Sequence, residues 1–279
     1  MNSRYRTGQA GAAVFAVVAS FAGVVSGKGQ APPVQVPPGP ASPAQVPPGQ
    51  PPPGPFPPGQ APQGSSRRGG YPRPTPRVPT GPAIKLPTPK AKGDVSVEQA
   101  LWGRRTLRSA TAGQITLEDA GQLLWAAQGV TGQWGRRAAP SAGGAYALEV
   151  LLVAGDVAGL PAGVYRYYGA SNQLERLAEG DKRASLAQLT KFEGIEHAPA
   201  IVVITAVESR ALRVFPSEAV AHQHVAVEAG AATQNLMLEA VALGLGSAEV
   251  SDSDDAKLAQ VLGLPSEEKP VAITVISRS

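Results

Sequence analysis

The hydrophobic and polar positions of this chain fall into two regimes that meet near Lys92. Downstream, apolar runs alternate with capped, amphipathic stretches. The longest pattern runs over residues 217–246, between Pro216, a poor helix-interior residue, and Gly244 and Gly246, which favour a helix end. It predicts a single helix about 40 Å long at about 1.5 Å per residue. Its formal charges are Glu218, Glu228 and Glu239, and its alanines are spread over several faces. A helix that is small or apolar nearly all round is buried, either inside a domain or against a second subunit.

Shorter elements precede and follow it. Ser96-Val-Glu-Gln99 has the form of a capping box and opens a short helix through Trp102. Thr116 caps a helix carrying Leu123, Leu124 and Trp125, stopped at Gly129. Strands are expected over 148–154, 163–168, 199–205 and 270–276, and helices over 181–189 and 253–262. Residues 130–137 and 140–146 read as Gly-rich loops. Helices and strands mix without a regular βα repeat, which gives an α+β fold with an antiparallel or mixed sheet beside the buried helix.

Upstream of Lys92 no such periodicity exists, and composition explains why. This part holds 22 of the 28 prolines and ten of the 25 Lys and Arg residues, but none of the 21 acids. The net charge of +4 therefore belongs to the tail and says little about what the rest binds. So much Pro, Gly and Gln cannot bury enough apolar area to offset ordering entropy, and residues 28–92 read as a semi-extended, solvated spacer rather than a nucleic-acid tether. Ahead of it, Arg4 and Arg6 precede an apolar run over 10–25 and small residues at Ser26 and Gly27. That order marks residues 1–27 as a secretory signal or a retained anchor, and the chain as exported to the periplasm or beyond, with a membrane tether if the segment is kept. The folded domain is expected over 93–279. Cysteine is absent, which excludes disulfides, thiolate metal sites and cysteine nucleophiles.

Candidate chemistry concentrates in three places. Arg104, Arg105 and Arg108 put three guanidinia within five residues, which suits an anion; if helical, Arg104 and Arg108 share a face. The loop around Ser141, Ala142 and Gly143 lets backbone N–H groups approach a planar ligand or an anion. Ser141 has neither a nucleophile elbow nor a paired lysine around it, so serine hydrolysis is not indicated. Gly244-Leu-Gly246 ends a helix where a dinucleotide-binding fingerprint begins one. His222 and His224 point about 200° apart on a helix and cannot share a metal ion, so no metal site is expected. Asp252, Asp254 and Asp255 fit helix capping.

The order of these features along the chain resembles the nitroreductase family. Arg104-Arg-Thr-Leu-Arg108, Leu123-Leu-Trp-Ala-Ala-Gln-Gly129, Pro140-Ser-Ala-Gly-Gly144, Gly163-Val-Tyr-Arg-Tyr167, Gln234-Asn-Leu236 and Gly244-Leu-Gly-Ser247 carry the likeness. More narrowly they resemble its branch of thiazole and oxazole peptide-maturation dehydrogenases. The resemblance implies a mixed or antiparallel sheet around the long helix, a homodimer with FMN at the subunit interface, and NAD(P)H or an organic molecule as electron donor. It implies that Arg104, Arg105, Thr106 and Arg108 hold the FMN phosphate and ribityl chain, Thr106 standing where the family usually has serine. Ser141, Ala142 and Gly143 would approach from the partner subunit, Leu245, Gly246 and Ser247 would lie along the isoalloxazine, and Arg278 would reach the phosphate. The substrate would be a small molecule or a peptide. Azoline-oxidising members carry a Lys-Tyr pair shortly before the long helix's core, where this chain reads Leu212-Arg-Val-Phe215. That departure keeps open a second expectation, a catalytically silent binding module displayed on the spacer.

Overall fold

The computed structural model describes residues 75–132, 135–250 and 253–278. The expected signal or anchor, and the expected spacer up to residue 74, lie outside the described residues. In chain order the elements are β1 (Ala83–Lys85), α1 (Val97–Gly103), α2 (Leu117–Gln128), β2 (Val130–Gly132), β3 (Arg136–Arg137), β4 (Leu148–Ala154), β5 (Gly163–Tyr168) and β6 (Gln173–Glu179). There follow α3 (Arg183–Ala187), β7 (Ala200–Val207), α4 (Glu208–Leu212), α5 (Glu218–Ala242), β8 (Leu245–Val250), α6 (Asp255–Leu262) and β9 (Glu268–Arg278).

Seven strands form one sheet in the order β1-β6-β5-β4-β7-β9-β8. Every neighbouring pair is antiparallel. All of β4 and β7 is buried, so side chains that alternate along them must find apolar partners on both faces. Val150, Leu152 and Ala154 pack with Leu124 of α2 and with Leu236 and Ala240 of α5. Leu151 and Val153 pack on the opposite face with Leu186 of α3 and Leu258 and Leu262 of α6.

The helix starts follow the predicted caps. Ser96 and Thr116 each complete a capping box, with Gln99 and Asp119 reaching back to the cap N–H. The Ser217 side chain accepts from Val220 N, and that of Asp254 from Lys257 N. α5 ends sooner than expected, because Gly244 adopts φ +69° and the next residues pair with β9 as a strand instead of a flexible turn. Nor is α5 covered all round. Ala226, Val227 and Gly230 are exposed, Val227 at 63%.

Residues 75–92 depart from the expected spacer. β1 pairs with β6, and Leu86 is 2% exposed in the core beneath α2. Arg77 reaches the carboxylate of Glu268, which also receives both terminal nitrogens of Arg166, at 2.8 and 3.0 Å. The high proline content was a poor guide here, since an edge strand needs few backbone donors and one leucine and one arginine suffice to dock the segment. Leu86→Ala should cost about 2–4 kcal/mol of stability. Urea unfolding of the variant checks this, and an unchanged midpoint would mean a loosely attached segment.

Candidate functional site

The arginine cluster begins where α1 stops. Arg104 is the C-cap of α1 with φ −60° and ψ 118°, so the chain leaves the helix there and the face that Arg104 and Arg108 would share on a helix does not form. Thr106 forms a parallel bridge with Ser247, and Leu107 N donates to Ser247 O at 3.1 Å. The Arg104 and Arg108 guanidinia have no acidic partner among the described residues. Arg105 differs: its Nη1 donates to Trp102 O and Arg104 O, both at 2.8 Å, closing the end of α1.

β8 and β9 complete this end of the sheet. Leu245 lies opposite Arg278, and Gly246 opposite Ser277. Leu245 and Ser247 are buried, so backbone is what they can offer a ligand. Gly246 makes room for Leu107, whose methyl carbons would stand 2.8 Å from any Cβ placed there. Arg278 donates through Nε and Nη2 to Gln114 O, at 2.9 and 2.6 Å, which ties down the loop between α1 and α2.

The loop of Ser141, Ala142 and Gly143 is built on a different part of α5. The Glu228 carboxylate accepts from Ala142 N at 2.6 Å and from Ser141 Oγ at 3.1 Å, and Ser141 Oγ in turn accepts from Tyr146 N at 2.8 Å. Gly143 has φ +60°, and a Cβ there would meet Val214 Cγ1 at 2.3 Å, so both conformation and space demand glycine. Glu228 lies fourteen residues before the end of α5 at Ala242, about 21 Å at about 1.5 Å per residue. The arginine segment, β8 and Arg278 therefore come together, while the Ser141 loop stands apart from them within one chain.

A match to the nitroreductase family model over residues 101–277 decides what this framework is. The chain belongs to the nitroreductase family. It is thus an FMN-dependent oxidoreductase. A Methanocaldococcus jannaschii protein bearing the nitroreductase name is 31% identical over 186 residues, 66% of this chain and 92% of the relative. A crystal structure of a nitroreductase-family protein from Ralstonia eutropha JMP134 superposes with a TM-score of 0.63 at 31% identity, covering 76% of this chain and 96% of the other. A chain of the E. coli microcin synthetase complex, solved with a truncated pro-peptide bound, shares the fold with a TM-score of 0.52 at 20% identity, covering 72% and 79%.

The donor set fits the family's cofactor at the arginine segment. Two guanidinia without carboxylate partners among the described residues, beside the start of β8, suit a phosphate. Sequence reasoning did not assign Glu228 a role; the signal available was a lone acid amid the alanines and valines of α5.

Burial pushes the Glu228 carboxyl above its ordinary range, opposed by the bonds from Ala142 and Ser141. A carboxyl whose pKa is higher folded than unfolded stabilises the fold most below its unfolded pKa, and that contribution falls as pH rises through the folded value. Wild type should therefore lose stability relative to Glu228→Gln as pH rises from 4 through the raised folded pKa. Urea midpoints of both proteins at stepped pH test this, and parallel pH profiles would refute it.

Proposed function

We propose that two copies of this nitroreductase-family chain form a homodimer with FMN at the interface, exchanging hydride between NAD(P)H or an organic donor and a small-molecule or peptide substrate. The observation that carries the dimer is the separation of the two half-sites. Glu228, with the Ser141 loop, and the β8 start, with Arg104 and Arg108, lie far apart on one chain, so a single flavin can touch both only between two copies. Exposed apolar surface supports this reading. Leu101 and Trp102 of α1 are exposed, Trp102 at 83%. A groove of about 860 Å³ runs between α5, α6 and β9, lined by Val225, Ala226, Gly230, Ala259 and Val271.

In this arrangement Arg104 and Arg108 hold the phosphate, with the Thr106 hydroxyl beside them. Arg105 and Arg278 act through backbone carbonyls, shaping the segment and the neighbouring loop. The partner's Ser141 loop, kept rigid by Glu228, presents backbone close to the ring system. Bound FMN supplies the redox chemistry at N5, and the protein supplies orientation and electrostatics. We further propose that the chain is exported through its N-terminal segment and works outside the cytoplasm, with residues upstream of Thr75 as its spacer.

Arg104→Ala combined with Arg108→Ala should weaken FMN binding at least tenfold, since a hydrogen bond to a charged group contributes about 1.5–3 kcal/mol. Arg105→Ala should affect FMN less and lower the melting temperature. Absorption titration of the full chain with FMN measures the first, and equal affinity in wild type and double variant would remove the site assignment. Anaerobic addition of NADPH to the loaded protein should bleach the flavin absorption. A loaded protein that no donor reduces would leave the silent binding module as the better account.

A further inference from the structure

A charged cavity lies away from the arginine segment, at the start of β4. A cavity of about 130 Å³ opens between the N-terminal segment, the hairpin of β2 and β3, and the start of β4. Its charged walls are Arg77, Arg137, Arg210 and Glu149, with the Tyr146 and Tyr168 rings beside them. Arg210 is spent on Glu149, Nη2 to Oε1 at 2.5 Å. Arg77 is shared among Glu149, at 3.6 Å, Glu267, at 3.7 Å, and Glu268. Behind the wall Arg166 takes Glu268 in a two-pronged pair. Glu175 is held by Tyr168 and Thr80, and by Gly81 N at 2.6 Å.

Arg77, Arg166 and Arg210 are each paired with a carboxylate, whereas Arg137 makes no ion pair within 4 Å among the described residues. Its Nη1 donates to Gln128 Oε1 at 2.8 Å and to Leu148 O at 3.2 Å. Its Nε and Nη2 have no partner among the described residues, although the guanidinium lies 5.1 Å from the Tyr146 ring centroid. Burial is the main influence on this group and pushes its pKa down, with Glu149 opposing and Arg210 adding to the effect. Glu149 is shared with Arg210 and offsets only part of the desolvation of Arg137, and an anion hydrogen-bonded directly to the guanidinium would offset more. The volume holds only a few heavy atoms, about four waters at about 30 Å³ each.

We propose that this cavity binds a small anion, either a short carboxylate or an inorganic oxyanion, held by the free edge of Arg137. The site is distinct from the arginine segment. β9 starts at Glu268, which Arg77 of the cavity wall reaches, and ends at Arg278, opposite the first residue of β8, about 33 Å away at about 3.3 Å per residue. Nothing in the proposal depends on the flavin reading.

The test uses the full chain without added flavin, at ionic strength fixed with sodium chloride. Trifluoroacetate is the probe, read by 19F line broadening. Wild type should broaden the signal, and acetate or phosphate should reverse it; whichever competes at lower concentration identifies the carboxylate or the oxyanion as the preferred ligand. Arg137→Gln should weaken probe binding at least tenfold. Val130→Phe, which crowds the cavity wall without removing a charged group, should do the same, and it decides the matter if Arg137→Gln does not fold. Arg104→Ala with Arg108→Ala removes the open guanidinia of the other rim and should keep a displaceable broadening, which adding Arg137→Gln then abolishes. No displaceable broadening in wild type would overturn the proposal. So would binding undiminished in a folded Arg137→Gln or Val130→Phe protein, or binding lost in the Arg104 and Arg108 variant.

Discussion

A central sheet buried on both faces leaves polar chemistry almost nowhere to go except its strand ends. β4 and β7 are inaccessible along their whole length. A charge within the sheet must therefore be matched, as Arg166 is by Glu268, because an isolated buried charge is strongly disfavoured. Ligand-facing groups are confined to the two rims. One rim carries Arg104, Arg108 and the start of β8; the other carries Arg137, Arg210 and Glu149. The Ser141 loop, anchored midway along α5, belongs to neither half of a complete flavin site by itself. This constraint makes a second copy chemically useful, since two chains can bring one rim against the other's loop.

Where local signals decide structure, the sequence was readable. Caps are such signals: Ser96, Thr116, Ser217 and Asp254 each satisfy backbone donors within three residues, and each starts a helix as expected. The strands read as apolar runs also formed, since their burial on both faces imposes that composition. β6 and β8 were not legible. Gln173-Leu-Glu-Arg-Leu-Ala-Glu179 has no clean alternation, because it lies near the sheet's edge and a register shift interrupts its pairing with β5. β8 follows α5 with only Leu243 and Gly244 between, so glycines that end the helix masked the strand that begins.

The arginines show the same division between local and tertiary information. Spacing identified Arg104, Arg105 and Arg108 as one cluster, but the conformation at Arg104 splits it. Two guanidinia remain free for an anion and one folds onto carbonyls of its own chain. The resemblance puts Arg278 near the phosphate; in the fold it ends β9 opposite Leu245 and spends two donors on Gln114 O. Composition treated Arg77 as one more solvated charge, although it closes a network whose other members lie far along the chain. No pattern within a short window contains that information.

A guanidinium's role in this fold is thus set by what already occupies its donors. Where carboxylates or carbonyls take them, as at Arg166, Arg210, Arg105 and Arg278, the side chain fixes the scaffold, and its removal is felt first as lost stability. Where they stay open, as at Arg104, Arg108 and the inner edge of Arg137, the structure has retained a cation that the fold itself does not neutralise. Burial sharpens the distinction. Arg104 and Arg108 reach solvent, which screens an unpaired charge at little cost, so an anion there competes with water. Arg137 is largely withdrawn from water and has less to lose on binding, so an anion in its cavity gains more from the same two donors.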